Sequence, residues 1–183
     1  MDASYPRRGA PGLAALARLG FRLSGWHLAG ALPEIDKFVI IFAPHTSSAD
    51  FFVTVGASLA FDVDAHWMAK KSIFVEPVAT LFRAIGGIAV DRENPRTLVD
   101  DLVNEFRRRD KMVLGLAPEG TRGKVERWRT GFYRIAEAAG VPVVLAYIDK
   151  RNKTLGVGPI FELSGDRDRD IAEMRAFYAR FAK

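Results

Sequence analysis

His45 and Asp50 stand in Pro44-His45-Thr46-Ser47-Ser48-Ala49-Asp50, an imidazole and a carboxylate with four residues between them. Facing each other across a tight loop, the two form a base: the aspartate takes the Nδ1–H, fixes the tautomer, and leaves Nε2 to accept a proton. That geometry needs the histidine at a strand's carboxyl end and the aspartate in the first turn of the next helix. The run Phe38 to Ala43 reads as such a strand, short, rich in β-branched and aromatic residues, and stopped by Pro44. Ser47, Ser48 or Asp50 then caps a helix running through Phe51 towards Leu59. Open α/β sheets place ligands at junctions of this kind. The spacing alone is not diagnostic, since histidine is common in ordinary polar loops.

Two further strand-like segments end in groups able to do chemistry. Gly87-Ile88-Ala89-Val90 delivers Asp91-Arg92, and Met112 to Leu116 delivers Ala117-Pro118-Glu119-Gly120-Thr121-Arg122. If these strands share a direction, all three signatures meet at one sheet edge. The resulting site holds a general base, two arginines suited to bidentate phosphate contact, and a glycine turn. A metal centre is not expected, because the three histidines, His27, His45 and His66, show no ligand spacing. The chain has no cysteine, which excludes disulfides, thiolate ligands and a cysteine nucleophile.

The remaining segments supply the frame. Residues 1–12 carry Pro6, Arg7, Arg8, Gly9, Pro11 and Gly12 and are expected to be poorly ordered. Leu13, Leu16, Ala17, Gly20 and Leu23 form one stripe of a short helix flanked by Arg18 and Arg22. That helix either lies in a membrane interface or caps the core. Residues 63–69 suggest a strand ending at Lys70-Lys71, with His66 inside it as a structural residue; His27 is read the same way. Pro77 opens a short helix to Ile85. Asn94-Pro95 starts another, with a stripe of Leu98, Val99, Leu102, Val103 and Phe106. Its closing Arg107 to Arg109 suit the negative end of the helix dipole, and can also meet lipid phosphates.

Gly131 to Ala139 reads as a helix closed by Gly140, and Val141 to Ile148 as a strand. Asp149 to Thr154 is a polar turn before a short hairpin partner over Leu155 to Val157. A last helix from about Arg169 buries Ile171, Met174, Phe177, Tyr178 and Phe181. Strands alternating with helices predict an α/β fold, a single-domain sandwich of a mixed, largely parallel sheet covered by helices. Residues 1–25 form a flexible start and amphipathic helix, and 26–183 the domain proper.

The 183 residues include 27 Lys plus Arg against 22 Asp plus Glu, a mild basic excess that suits anionic surfaces or phosphate-bearing partners. No uncharged apolar run approaches the ~18–20 residues a membrane span needs. Arg18 and Arg22 break the stretch that a secretory signal keeps apolar. The expectation is a cytoplasmic protein with peripheral contact at the membrane's inner face and no nucleic-acid partner.

Taken in order, the motifs resemble those of the glycerolipid acyltransferase family, which includes 1-acylglycerol-3-phosphate acyltransferases. That family carries four blocks. His45 and Asp50 match the first, Gly87 to Arg92 the second, Pro118-Glu119-Gly120-Thr121-Arg122 the third, and Val141-Pro142-Val143-Val144 the fourth. The resemblance covers roughly residues 26–160 and implies acyl transfer from a thioester, on coenzyme A or acyl carrier protein, to a lysolipid hydroxyl. It implies His45 and Asp50 as the catalytic pair, Arg92 and Arg122 as the holders of the acceptor's phosphate, and Glu119, Gly120 and Thr121 as the shapers of that pocket. No cofactor beyond the acyl-thioester co-substrate is implied. The chain departs from the pattern at Pro44, where many members have asparagine, and at Ala117, where phenylalanine is usual. The departures bear on the acceptor, which could be lysophosphatidic acid, another lysophospholipid or an acylated amino acid.

Rival readings fit less well. Gly56-Ala57-Ser58-Leu59-Ala60 lacks the last glycine of a hydrolase elbow and sits mid-helix. Gly115 and Gly120 have Walker spacing, but Thr121-Arg122 stands where Lys-Ser/Thr is required. A non-catalytic lipid-phosphate-binding module on the same scaffold is the remaining alternative. Phe51, Phe52, Trp67, Trp128 and Tyr147 are candidates for an acyl groove, or for ordinary core.

Overall fold

A computed structural model describes residues 5–44, 48–90, 95–119 and 128–181. In chain order the elements are α1 (Pro11–Ser24), β1 (His27–Ala29), β2 (Lys37–Ala43), α2 (Ser48–Ala60), β3 (Ala65–Lys70), α3 (Val78–Ala84) and β4 (Gly87–Val90). There follow α4 (Pro95–Arg108), β5 (Met112–Leu116), α5 (Gly131–Ala139), β6 (Val143–Asp149), β7 (Thr154–Phe161) and α6 (Arg167–Tyr178). The strands form one seven-stranded sheet in the order β1-β7-β6-β2-β5-β3-β4. From β6 through β4 every pair is parallel, and β7 turns back antiparallel along β6. This is the mixed, largely parallel α/β sandwich that the alternating elements predict.

The central position of β2 explains its composition. With β5 on one side and β6 on the other, Phe38, Val39, Ile40 and Ile41 are all buried. A strand covered on both faces reads as a continuous apolar run rather than an alternating one. Val39, Ile41 and Ala43 point to the side where Val99, Leu102 and Phe106 of α4, Ile135 of α5 and Met174 of α6 close the larger core. Phe38 and Ile40 face the other side, against Leu32, Val63 and Ala65. On α2, Ala57 packs with Ile148 and Leu155, with Phe21 of α1 against them.

Several sequence expectations are corrected. Residues 5–10 do not trail away: Arg7 bridges to Val63, Arg8 donates to the Asp62 carbonyl, and the Ala10 amide donates to the Asp62 carboxylate at 3.1 Å. The Arg7–Asp62 ion pair at 3.4 Å adds to this anchoring, which composition alone did not suggest. His27 opens an edge strand parallel to β7 and is exposed rather than packed. The hairpin partner is eight residues long, because β7 pairs with both β6 and β1. α1 buries Ala14 and half-buries Ala17 and Phe21, while Leu13, Leu16, Leu19 and Leu23 face outward. The leucine stripe is therefore not the face that meets the core.

Candidate active site

Parallel pairing decides where the three signatures begin. β2, β5, β3 and β4 run the same way, so Ala43, Leu116 and Val90 end at one edge of the sheet. β2 and β5 are neighbours, with Ile41 opposite Leu116, whereas β4 lies three strands from β2. At about 4.8 Å per strand that separation is roughly 14 Å. His45, Asp91, Arg92, Gly120, Thr121 and Arg122 lie outside the described residues. Asp50 and Glu119 lie within them.

Asp50 occupies the first turn of α2, where the helix dipole favours an anion. It is buried, 3% exposed, and meets Lys150 with both carboxylate oxygens, Oδ1 at 2.8 Å and Oδ2 at 3.0 Å from Nζ. Lys150 follows β6, which also ends at this edge, Tyr147 standing opposite Ala43. Glu119 is buried in the turn after β5. Just before it the chain closes on itself, as the Arg129 amide donates to the Pro118 carbonyl at 2.8 Å. Beneath lies Tyr178 of α6, whose hydroxyl donates to the carbonyls of Ile41 at 2.9 Å and Ala146 at 3.0 Å. Burial, with the nearby Glu119 charge, pushes the Tyr178 phenol well above its ordinary value. The site end of β2 and β6 is thus tied to the last helix by a donor that stays protonated.

An apolar cavity of about 1030 Å³ opens along the same edge. Ala69, Val90 and Ala117 mark the strand ends at its rim, and Phe51, Trp67 and Trp128 are among its walls. Trp67 is fixed by its indole N–H donating to Ile85 O at 2.9 Å and by edge contacts with Phe51 at 4.7 Å and Phe82 at 5.5 Å. Gly115 leaves room on the cavity floor, where a Cβ would lie 3.0 Å from the Phe42 ring. Two of the candidate aromatics belong elsewhere. Tyr147 stacks on Phe181 at 4.2 Å, and Phe52 is 72% exposed.

Other candidates also resolve. Arg108 and Arg109 both bind Glu105, and Arg109 reaches Nε2 of His66 at 3.2 Å. This arginine run closes α4 beside the start of β5, at the edge opposite the strand ends. Burial holds His66 below the ordinary histidine value; Asp64 opposes this, and Arg109 and Arg8 reinforce it. Ser58 donates to Val55 O within α2 and stands at no elbow. Gly115 lies inside β5, so it opens no phosphate loop. No group of three metal-ligating side chains occurs among the described residues. Lys150 was the contributor that sequence reasoning missed, since a lysine in a polar turn carries no motif.

The profile of the family described as Acyltransferase matches residues 28–149, two thirds of the chain, and spans the strand ends, Asp50 and Glu119. This chain belongs to that family. The acyltransferase also shares its fold with the crystal structure of the 1-acyl-sn-glycerophosphate (LPA) acyltransferase PlsC from Thermotoga maritima. Their TM-score is 0.62 at 19% identity, over 94% of this chain and 81% of that one. No curated protein sequence matches the acyltransferase. No helix among its described residues is long and apolar enough to cross a membrane.

Proposed function

We propose that this acyltransferase moves a fatty acyl group from a thioester, on coenzyme A or acyl carrier protein, to the hydroxyl of a lysolipid in phospholipid synthesis. The first acceptor to consider is 1-acylglycerol-3-phosphate. His45, oriented by Asp50, takes the proton of the acceptor hydroxyl as its oxygen attacks the thioester carbonyl carbon. The tetrahedral intermediate expels the thiolate, which recovers the proton from His45, so no acyl-enzyme is required. A positioned base of this kind contributes roughly 10²–10⁴ in rate. Arg92 and Arg122 hold the acceptor's phosphate, while Glu119, Gly120 and Thr121 shape its pocket. The outward leucines of α1 and the basic excess of the chain suit contact with an anionic membrane, where a lysolipid acceptor resides.

The observation that carries this reading is the apolar cavity that runs along β3 and reaches the carboxyl ends of the strands that lead to His45, Arg92 and Arg122. Its volume is at the upper end of ligand pockets, roughly 300–1,000 Å³, and its walls suit a long acyl chain. The test is thiol release from long-chain acyl-CoA, with lysophosphatidic acid and other lysolipids offered in turn. Release should require one acceptor and fall at least about a hundredfold in His45→Ala. Release without any acceptor would make the protein a thioesterase instead.

A further inference from the structure

We infer that Lys150 is a positioning residue of the acyl-transfer site, holding the Asp50 carboxylate in the orientation from which it receives the His45 imidazole. The inference rests on the reading of His45 and Asp50 as the catalytic pair and adds a third member to it. Asp50 has almost no solvent contact, so its charge depends on protein partners. Lys150 supplies one from the end of the neighbouring strand β6, 100 residues along the chain, with its ammonium shared between the two oxygens at 2.8 and 3.0 Å. A carboxylate has about four lone-pair sites. Two such oxygens can serve an ammonium and an imidazole N–H at once.

The lysine starts from a fixed backbone. The preceding Asp149 carboxylate accepts from the Arg151 and Asn152 amides at 3.1 and 3.2 Å and from the Asn152 side-chain amide at 2.8 Å. Thr154 donates its hydroxyl to Asn152 O, and the His27 amide donates to Lys153 O at 2.8 Å, binding the turn to β1. A four-residue turn held at both ends presents Lys150 with little freedom in its main chain. One ion pair therefore connects the helix start that carries Asp50 to the strand end of β6, and limits how far α2 can shift against the sheet.

The test is a double-mutant cycle on the full chain with the thiol-release assay, using Lys150→Met, Asp50→Asn, the double variant and Lys150→Arg. Loss of aim at a catalytic group costs turnover, so Lys150→Met should lower kcat by on the order of ten- to a hundredfold, with KM for the acceptor little changed. The same substitution should cost almost nothing further in the Asp50→Asn background, and Lys150→Arg should recover most of the turnover. A raised KM with kcat intact would overturn the inference, marking Lys150 as a substrate contact. Equal losses from Lys150→Met in both backgrounds would overturn it too, since the lysine would then act without the aspartate. If Asp50→Asn itself transfers acyl groups at the wild-type rate, the His45–Asp50 reading fails and the lysine's role falls with it. If instead Asp50→Asn is inactive while Lys150→Met keeps wild-type turnover, only the lysine's role is lost.

Discussion

Asp170 shows what a buried carboxylate does when its role is structural. It sits in α6 at 2% exposure and accepts from the Ser164 amide at 2.8 Å, the Ser164 hydroxyl at 2.6 Å and the Tyr133 hydroxyl at 3.0 Å. Burial works against its charge, but the Ser164 and Tyr133 donors outweigh burial and hold it below the usual aspartate value. Burial and the same aspartate push Tyr133 up to about 12, which keeps that donor protonated. Asp170→Ala removes the acceptor from a buried hydroxyl and should cost about 3 kcal/mol of stability by urea unfolding. The acid dependence follows from the sign of the shift. Because the folded pKa is depressed, the unfolded chain binds the proton first. The contribution is complete above the unfolded value of about 3.9 and is lost as pH falls through the lower folded value. Unfolding curves from pH 6 to 2 should show Asp170→Ala with a flatter acid decline than wild type. Parallel declines would remove Asp170 from the account. No carboxylate was expected within the stripe of the last helix, since its partners are remote in sequence or lie in a loop without periodicity.

Among elements, the short β4 has the hardest task, because four residues must bring the chain to Asp91-Arg92 at the correct edge. Gly86 makes this feasible. It has φ +87°, accepts from the Trp67 amide at 3.0 Å, and leaves no space for a Cβ, which would collide with the Ala65 carbonyl oxygen. Gly86→Ala therefore adds backbone strain to a steric clash and should cost about 2 kcal/mol. For a domain of this size that is a Tm lower by roughly 4–8 °C, measurable by calorimetry. On the proposed role of Arg92, KM for the acceptor should rise as well, because β4 can no longer pair squarely with β3. An unchanged Tm would show that the α3–β4 turn tolerates the strain. The glycine pair was readable as a helix stop, and the boundaries of β2, β4, β5 and α5 follow closely from apolar runs and their punctuation. Residues 5–10 and β1 were not readable. Their order comes from Asp62, Val63 and Lys153, partners that no local pattern reveals. Asp50 was legible as a motif member, but its ammonium partner was not, since only the parallel pairing of β2 with β6 brings Lys150 to it.

At the scale of the whole molecule, the parallel sheet brings the carboxyl ends of β2, β3, β4, β5 and β6 to one edge, and the surface carries an apolar face that the core does not use. On α1 Leu16 is 65% and Leu23 80% exposed, and Phe52 on the neighbouring α2 is 72% exposed. A helix that only capped the core would turn its leucines inward; here Ala14 is the buried residue. The formal net charge of +5 adds a long-range preference for anionic surfaces. If α1 lies in a membrane interface, the full chain should sediment with vesicles containing phosphatidylglycerol far better than with pure phosphatidylcholine, and less so as salt screens the attraction. Burying the exposed parts of Leu16 and Leu23 is worth about 2–3 kcal/mol together. The double substitution Leu16→Ser/Leu23→Ser should therefore weaken partitioning by roughly 30- to 150-fold. Its Tm should hardly move, because neither side chain is buried in the fold. Undiminished vesicle binding in that variant would take the interface away from α1, and an equal loss of Tm would return the helix to the core.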